Sequence, residues 1–246
     1  MSVLAITQAR IGSSRLPEKV LKKVNGESML EIHLKRILKS CTITKLKVAT
    51  TCETGAEKIV KIANALNVQC HQGSVQNVLR RFLETAEPEN PKWVVRLTSD
   101  CPLIDSQVID DIVNFAKRRN LDYASNTLNP TFPDGIDVEV FKYSALKISN
   151  ENATQKEDLE HVTPYIWKNS SYKGGKLFSS DCFKNEQDYS DVRLTVDTPQ
   201  DLIVIEKLIE LLGTDKTWTD YANAWLNHPE IREINANIMR NEGYHN

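Results

Sequence analysis

The chain has 246 residues, and its 31 lysines and arginines nearly balance its 33 aspartates and glutamates, leaving a formal net charge of −2. Without an overall positive charge, a nucleic-acid partner is not expected. No apolar run approaches the roughly 20 residues that span a bilayer, and no signal-peptide pattern is visible. We therefore expect no membrane association and a cytoplasmic location, which also suits five cysteines without disulfide or metal-binding spacing.

Strand and helix patterns alternate along the first half of the chain. Apolar runs predict strands at 3–8, 46–51, 68–71 and 93–97. Amphipathic periodicity predicts helices at 29–38, 56–66, 75–86 and 106–119, the last with Ser106 as its N-cap. This alternation predicts an α/β fold, with a mainly parallel sheet sandwiched by helices.

After residue 121 the alternation weakens. The pattern predicts a loop at 126–133, a strand at 136–141, a helix at 155–167, a strand at 192–196 and a helix at 199–212. A moderately apolar helical tail follows at 218–239. We expect one domain over residues 1–246, with an excursion at about 123–176 and the tail from about 215.

The segment at residues 8–19, QARIGSSRLPEK, combines cations with small residues directly after the first predicted strand. The cations are Arg10, Arg15 and Lys19, and the small residues are Gly12, Ser13 and Ser14. Such a loop at the carboxyl end of a strand is typical of phosphate binding in α/β proteins, since arginine forks pair with phosphate oxygens and lysine adds a compact charge. The alternative is a solvated basic turn, and the spacing matches neither a P-loop nor G-x-G-x-x-G.

Two aspartates, Asp100 and Asp197, follow predicted strands and should lie on the same edge of the sheet as that loop. Two carboxylates facing bound phosphates would repel them unless a cation lies between, and Mg²⁺ takes one or two carboxylates together with substrate phosphates. The alternative for each aspartate is helix N-capping. Capping suits Asp197 better, because Thr198 and Pro199 follow it directly.

Five segments occur in an order that resembles a known family: QARIGSSRLPEKVL, LTSDCPLID, DGIDVEVF, EHVTPYI and RLTVDTPQDL. Together they resemble the acylneuraminate cytidylyltransferases, whose relatives include the 3-deoxy-octulosonate cytidylyltransferases, and most of all the spore-coat polysaccharide biosynthesis branch. The resemblance implies a nucleotide-diphospho-sugar-transferase-like fold. It also implies CTP as donor, Mg²⁺ as cofactor, and a product in which CMP is joined to a sugar or sugar acid.

The same resemblance implies roles for individual residues. The triphosphate would be bound by Arg10, Ser13, Ser14, Arg15 and Lys19. The metal would be held by Asp100 and Asp197, which form the catalytic set with Arg10 and Lys19. Cytosine would lie near the backbone of Gln8 and Ala9, and the nucleoside pocket would be lined by Ser74, Asn77 and Arg80 in GSVQNVLRRF. The acceptor would face Asp137, Glu139, Glu160 and His161. The alternative roles are solvated helix faces for Asn77, Arg80 and Glu160, and an ordinary helix histidine for His161.

The first motif departs from the family pattern at Glu18, where relatives usually have glycine. One alternative function is therefore a catalytically quiet homologue that binds nucleotide. Another is a sugar-1-phosphate nucleotidylyltransferase, although its usual loop is richer in glycine. Since similar proteins pack the region corresponding to 123–176 against a second subunit, a homodimer is expected.

Overall fold

The computed structural model describes residues 2–13 and 15–240. Its strands are β1 Val3–Gln8, β2 Lys23–Val24, β3 Glu27–Ser28, β4 Lys45–Thr51, β5 Gln69–Gly73, β6 Trp93–Thr98, β7 Tyr123–Ser125, β8 Glu139–Lys142 and β9 Ser180–Cys182. Its α-helices are α1 Met29–Ile37, α2 Ala56–Ala65, α3 Val78–Ala86, α4 Ser106–Arg118, α5 Tyr143–Asn152, α6 Lys156–His161, α7 Pro164–Lys168, α8 Pro199–Leu212, α9 Trp218–Asn227 and α10 Pro229–Arg232. Short 3₁₀ helices lie at Lys19–Leu21, Glu87–Glu89 and Ser171–Lys173.

Seven strands form one sheet in the order β5-β4-β1-β6-β8-β7-β9. The pairs β5–β4, β4–β1, β1–β6 and β7–β9 are parallel, and the two pairs of β8 are antiparallel. The predicted α/β fold with a mainly parallel sheet is thus confirmed. None of the helices in the described residues has the length and apolar composition needed to cross a membrane.

The central strand β1 divides the core into two layers. Val3 and Ala5 pack in the layer that includes apolar residues of α1, α4 and α8. Leu4 and Ile6 pack in the other layer, against α3 and α5. Because successive side chains of a strand point to opposite faces, a nearly continuous apolar run is what a strand covered by helices on both sides requires.

Two helix starts differ from the predicted ones. Asp105, not Ser106, is the N-cap of α4, since its carboxylate accepts from the backbone N–H of Gln107 at 2.8 Å. The helix predicted from residue 75 begins only at Val78, because the Asn77 side chain caps α3. Both differences follow from capping, in which a short polar side chain satisfies a free N–H group of the first turn.

In the second half of the chain, the observed elements differ more from those predicted from the sequence. The predicted strand at 192–196 does not join the sheet. Arg193 forms an isolated bridge with Asp134, and the N–H groups of Val192 and Val196 bond to loop residues. The predicted helix at 155–167 is two helices, α6 and α7, interrupted at Val162, whose φ is 72°. The pattern also missed α5. The excursion at 123–176 supplies β7 and β8 to the main sheet.

Candidate active site

The candidate site lies at the carboxyl ends of β1 and β6, which are adjacent and parallel. Arg10 follows β1, and Asp100 follows β6. A backbone bond from Ser99 N–H to Gln8 C=O, at 3.2 Å, holds the two strand ends together. Arg10 and Asp100 therefore lie at the same edge of the sheet, as the sequence predicted.

Lys19 joins the two predicted metal-binding aspartates. Its Nζ lies 3.1 Å from Asp100 Oδ2 and 2.8 Å from Asp197 Oδ1, and it donates to Val196 C=O at 3.0 Å. Burial opposes a charged ammonium, but the two carboxylates outweigh this and raise the pKa of Lys19. Burial likewise opposes a charged Asp100, while Lys19 holds the pKa of that carboxyl well below its usual range.

The capping alternative for Asp197 is wrong. Thr198 is the N-cap of α8, and it forms a reciprocal capping box with Asp201. The Asp197 carboxylate instead faces cations, with Oδ2 at 3.2 Å from Arg15 Nη2 in addition to the Lys19 contact. Capping also fails for Asp100, because α4 begins with Asp105.

A buried ion pair that sequence reasoning missed orients the Asp197 segment. The Arg193 guanidinium binds both carboxylate oxygens of Asp201 at 2.8 and 2.9 Å and donates to Asp134 Oδ2 at 2.7 Å. Asp201 also accepts from the backbone N–H of Asp197 at 3.0 Å. Arg193 and Asp201 both lie in the segment RLTVDTPQDL, so the sequence could have predicted their pairing, because an arginine within an apolar strand pattern needs a buried partner.

His33 supports the loop that carries Asp100, and it was also missed. Its Nδ1 donates to Cys101 C=O at 2.8 Å, which leaves Nε2 to accept from the Thr7 hydroxyl at 2.8 Å. Because a carbonyl can only accept, these contacts fix the tautomer. Burial lowers the pKa of His33 to about 4, so the ring stays neutral.

Glu18 pairs with a lysine that lies outside the segment at residues 8–19. Its carboxylate lies 2.8 Å from Lys58 Nζ on α2, and both side chains are exposed. The residue has φ 54°, in the left-handed region that favours glycine. Glycine adopts this conformation without strain, which agrees with the glycine that the sequence resemblance led us to expect here.

The other loop residues differ in their placement. Arg10 and Arg15 are exposed, Ala9 is buried, and Ser13 is half-buried. Ser14, also predicted to bind the triphosphate, lies outside the described residues. Gln8 is half-buried, and its buried Oε1 has no hydrogen-bond partner among the described residues.

The predicted nucleoside residues serve local contacts at the start of α3. Ser74 Oγ accepts from Asn77 N–H at 3.0 Å, and Asn77 caps the helix. Arg80 is exposed and pairs with Glu84 at 2.8 Å. The neighbouring Arg81, which sequence reasoning missed, is 2% exposed and donates to Ser74 C=O. It lies three residues after Val78, on the buried face of the helix.

The predicted acceptor residues separate into different environments. Asp137 Oδ1 accepts from Arg240 Nη2 at 2.5 Å. Glu139 is buried and accepts from Tyr123 and Thr163 hydroxyls at 2.7 and 2.5 Å. It also pairs with Arg96.

The other two predicted acceptor residues, Glu160 and His161, are on α6. Glu160 is exposed, whereas His161 is half-buried. Burial, with the nearby Arg96 cation, lowers the pKa of His161. His161 thus interacts electrostatically with both Arg96 and Glu139. Glu160 fits the alternative of a solvated helix face.

The Asp100 and Asp197 carboxylates are of the ligand type that Mg²⁺ takes in proteins. Both offer hard anionic oxygens that already converge on one cation, Lys19. Throughout residues 2–13 and 15–240, no group of three or more histidine, cysteine, aspartate or glutamate side chains is arranged to hold a metal. A metal held by this pair would thus need further ligands, and Mg²⁺ commonly takes them from substrate phosphates and water.

Known proteins resemble the chain over most of its length. A sequence model of the cytidylyltransferase family matches residues 4–228. An uncharacterized protein of Methanocaldococcus jannaschii is 35% identical over 245 residues, covering 98% of this chain and 97% of that protein. The spore coat polysaccharide biosynthesis protein SpsF of Bacillus subtilis is 31% identical over 217 residues, covering 86% and 88%.

A solved cytidylyltransferase from Leptospira borgpetersenii superimposes with a TM-score of 0.87 at 31% identity, covering 94% of this chain and 96% of that one. The family model includes the phosphate loop, both aspartates and α8. The sequence resemblance and the nucleotide-diphospho-sugar-transferase-like fold are therefore confirmed, and the chain belongs to the cytidylyltransferase family, whose members are CTP-dependent nucleotidyltransferases.

Proposed function

We propose that this enzyme transfers CMP from CTP to a sugar or sugar acid, with release of pyrophosphate, in the synthesis of a surface polysaccharide or other glycan. The observation that carries the proposal is the convergence of Lys19 with Asp100 and Asp197 beside the Arg10 loop. The relationship to SpsF supports the polysaccharide context. A cytoplasmic location and a homodimer belong to the same proposal.

The proposed chemistry depends on charge neutralisation and alignment. A hydroxyl oxygen of the acceptor attacks the α-phosphorus of CTP while the bond to pyrophosphate breaks, and such transfers need in-line positioning above all. Arg10, Arg15 and Lys19 bind the departing β- and γ-phosphates. Their fixed charges stabilise the charge that develops on the leaving group.

The carboxylate pair completes this arrangement. Asp100 and Asp197 would hold Mg²⁺, which when bound polarises the α-phosphate and lowers the barrier to its attack. Lys19 then exchanges its carboxylate partners for phosphate oxygens. The Arg193–Asp201 pair keeps the Asp197 backbone in place throughout.

One assay tests the proposed reaction: pyrophosphate release with each of the four nucleotides, against a panel of sugar acids and sugar phosphates. CTP should be strongly preferred, because a site that hydrogen-bonds one base leaves buried groups unpaired with another. A product with two phosphorus atoms between nucleoside and sugar would identify a sugar-1-phosphate nucleotidylyltransferase. CTP binding without turnover on any acceptor would favour the quiet homologue.

Metal titrations of Asp100→Asn and Asp197→Asn test the proposed magnesium pair. Each change keeps the side-chain shape but removes an anionic ligand, so activity should fall and the Mg²⁺ concentration for half-activity should rise. Asp111→Asn, on the exposed side of α4 and paired with Gln107, is the matched control. Unchanged metal dependence in both site variants would refute the pair.

The proposed homodimer has a simple test. Light scattering at micromolar concentration should give the mass of two chains. A single 27.9 kDa species would refute it.

A further inference from the structure

Two further carboxylates lie near Asp100 and Asp197, and we call the four together the acidic rim. Arg193 contacts Asp134 at 2.7 Å and Asp197 at 3.6 Å, and Asp137 interacts electrostatically with Asp134 and Asp100. They affect one another electrostatically. Burial raises the pKa of Asp134 to about 7, and the neighbouring Asp137 carboxylate adds to the rise. Burial also raises the pKa of Asp137, to which Glu139 and Asp100 contribute, while Arg240 opposes it. A negatively charged triphosphate must approach this rim.

Three of the four rim carboxylates contact cations from the segments QARIGSSRLPEKVL and RLTVDTPQDL. Lys19 contacts Asp100 and Asp197. Arg193 contacts Asp134 at 2.7 Å. The cation that contacts Asp137 belongs to neither segment: it is Arg240 of the C-terminal tail, 103 positions further along the chain.

Arg240 is held in a specific position. Its Nη2 lies 2.5 Å from Asp137 Oδ1, and its Nη1 donates to Phe132 C=O at 3.1 Å. Its side chain is 17% exposed, so the pair is partly shielded from water. A charge pair in such a position interacts more strongly than an exposed one.

The C-terminal tail that carries Arg240 is anchored by hydrogen bonds to the Arg193–Asp201 pair. Asn235 is 1% exposed, and its Nδ2 donates to Asp201 Oδ1 at 3.1 Å and to Arg193 C=O at 3.3 Å. Trp225 Nε1 donates to Asn235 Oδ1 at 3.0 Å. The tail therefore crosses the Arg193–Asp201 pair before it reaches Asp137.

We propose that Arg240 is a positioning residue for the nucleotide, acting by neutralising Asp137 so that the acidic rim accepts a triphosphate. The inference rests on the proposed function, because CTP is the ligand considered. Without Arg240, Asp137 would bind a proton more readily, but at an alkaline pH, where its carboxylate is charged, it would repel the phosphates. A conservative lysine would keep the compensation.

The test measures equilibrium binding of CTP with Mg²⁺ by calorimetry, without any acceptor, so that an acceptor role of Asp137 does not enter. Arg240→Gln should weaken CTP binding by on the order of fivefold, the effect of one charge about 10 Å from several phosphate charges in a water-like dielectric. Arg240→Lys should bind CTP as the wild type does. Arg232→Gln, at the end of α10, removes a cation that contacts none of the described rim carboxylates.

The deciding variant is the double substitution Arg240→Gln with Asp137→Asn. It should restore CTP affinity, because the repelling charge is gone. If Arg240 only anchors the tail, Asp137→Asn should weaken binding as Arg240→Gln does, and the double variant should show no rescue; that result would overturn the inference.

Ionic strength provides a second readout. Raising it from about 0.05 to 0.5 M should reduce the Arg240→Gln defect, because salt screens charge repulsion. A defect that does not change with salt would also count against the inference. Failure of the wild type to bind CTP would instead refute the proposed function.

Discussion

Acid should destabilise this protein through His33, the neutral histidine that supports the Asp100 loop. Burial lowers its pKa from 6.5 to about 4, because the charged ring would lose its hydration. Below pH 6.5 the unfolded chain binds a proton at His33, whereas the folded protein does so only near pH 4. The contribution is therefore fully present above pH 6.5 and is lost as the pH falls towards 4, by about 3 kcal/mol in total.

The measurement is urea unfolding of the wild type and His33→Gln between pH 7.5 and 4.5. The variant should be less stable at pH 7.5, because it disturbs buried hydrogen bonds to Thr7 and Cys101. This stability difference should shrink by about 2–3 kcal/mol on acidification, since only the wild type loses the His33 contribution. His228→Gln removes an exposed histidine and serves as the control. Parallel pH profiles for wild type and His33→Gln would refute the reasoning.

Three further predictions follow from the geometry. Lys19→Ala should lower turnover by roughly 100-fold, as for loss of a group that stabilises transition-state charge, and near-normal turnover in a pyrophosphate assay would exclude Lys19 from the chemistry. Gly135→Ala should cost several kcal/mol of unfolding free energy, because its Cβ would lie 2.5 Å from the backbone of 192–196. The control is Gly174→Ala, which also has positive φ but has open space around it and should cost only about 1 kcal/mol. Equal losses of the two variants in urea unfolding would contradict this prediction. Glu18→Gly should keep full turnover and unfold at equal or slightly higher urea, since it relieves the left-handed backbone at φ 54°, whereas a marked loss of activity would show that the carboxylate takes part.

The sequence was sufficient to predict the first half of the fold and the central group of the site. Each parallel strand there is an apolar run followed by an amphipathic helix, so the periodicity identifies both. The rule that ligands bind at the carboxyl ends of strands then placed Asp100 on the same edge as Arg10. The same rule placed Asp197 correctly even though 192–196 does not join the sheet, since Val196 N–H bonds to Asp100 C=O at 2.8 Å.

The remaining features depend on contacts that periodicity does not encode. Val192, Leu194 and Val196 alternate as in a strand and are buried, but alternation specifies burial of one face and not the hydrogen-bond partner. The pairing of Asp137 with Arg240 joins a loop to the tail, and a single sequence gives no signal for that distance. The break at Val162 is likewise a tertiary effect, because valine rarely adopts positive φ without surrounding support.

The bridge from Lys19 to Asp197 has a consequence for the order in which the protein is made. The parallel pairing of β1, β4, β5 and β6 needs no residue beyond 98, so all four strands have been made well before Asp197. Lys19 and Asp197 are 178 positions apart, which at ribosomal rates of about 5–20 residues per second separates their synthesis by roughly 10 to 35 s. Once residue 100 has been made, a nascent chain in that interval carries the loop at residues 8–19 and one carboxylate of the pair. Nucleotide binding that needs both carboxylates is thus a property of the finished chain, and it reports complete assembly more faithfully than any probe of the early strands.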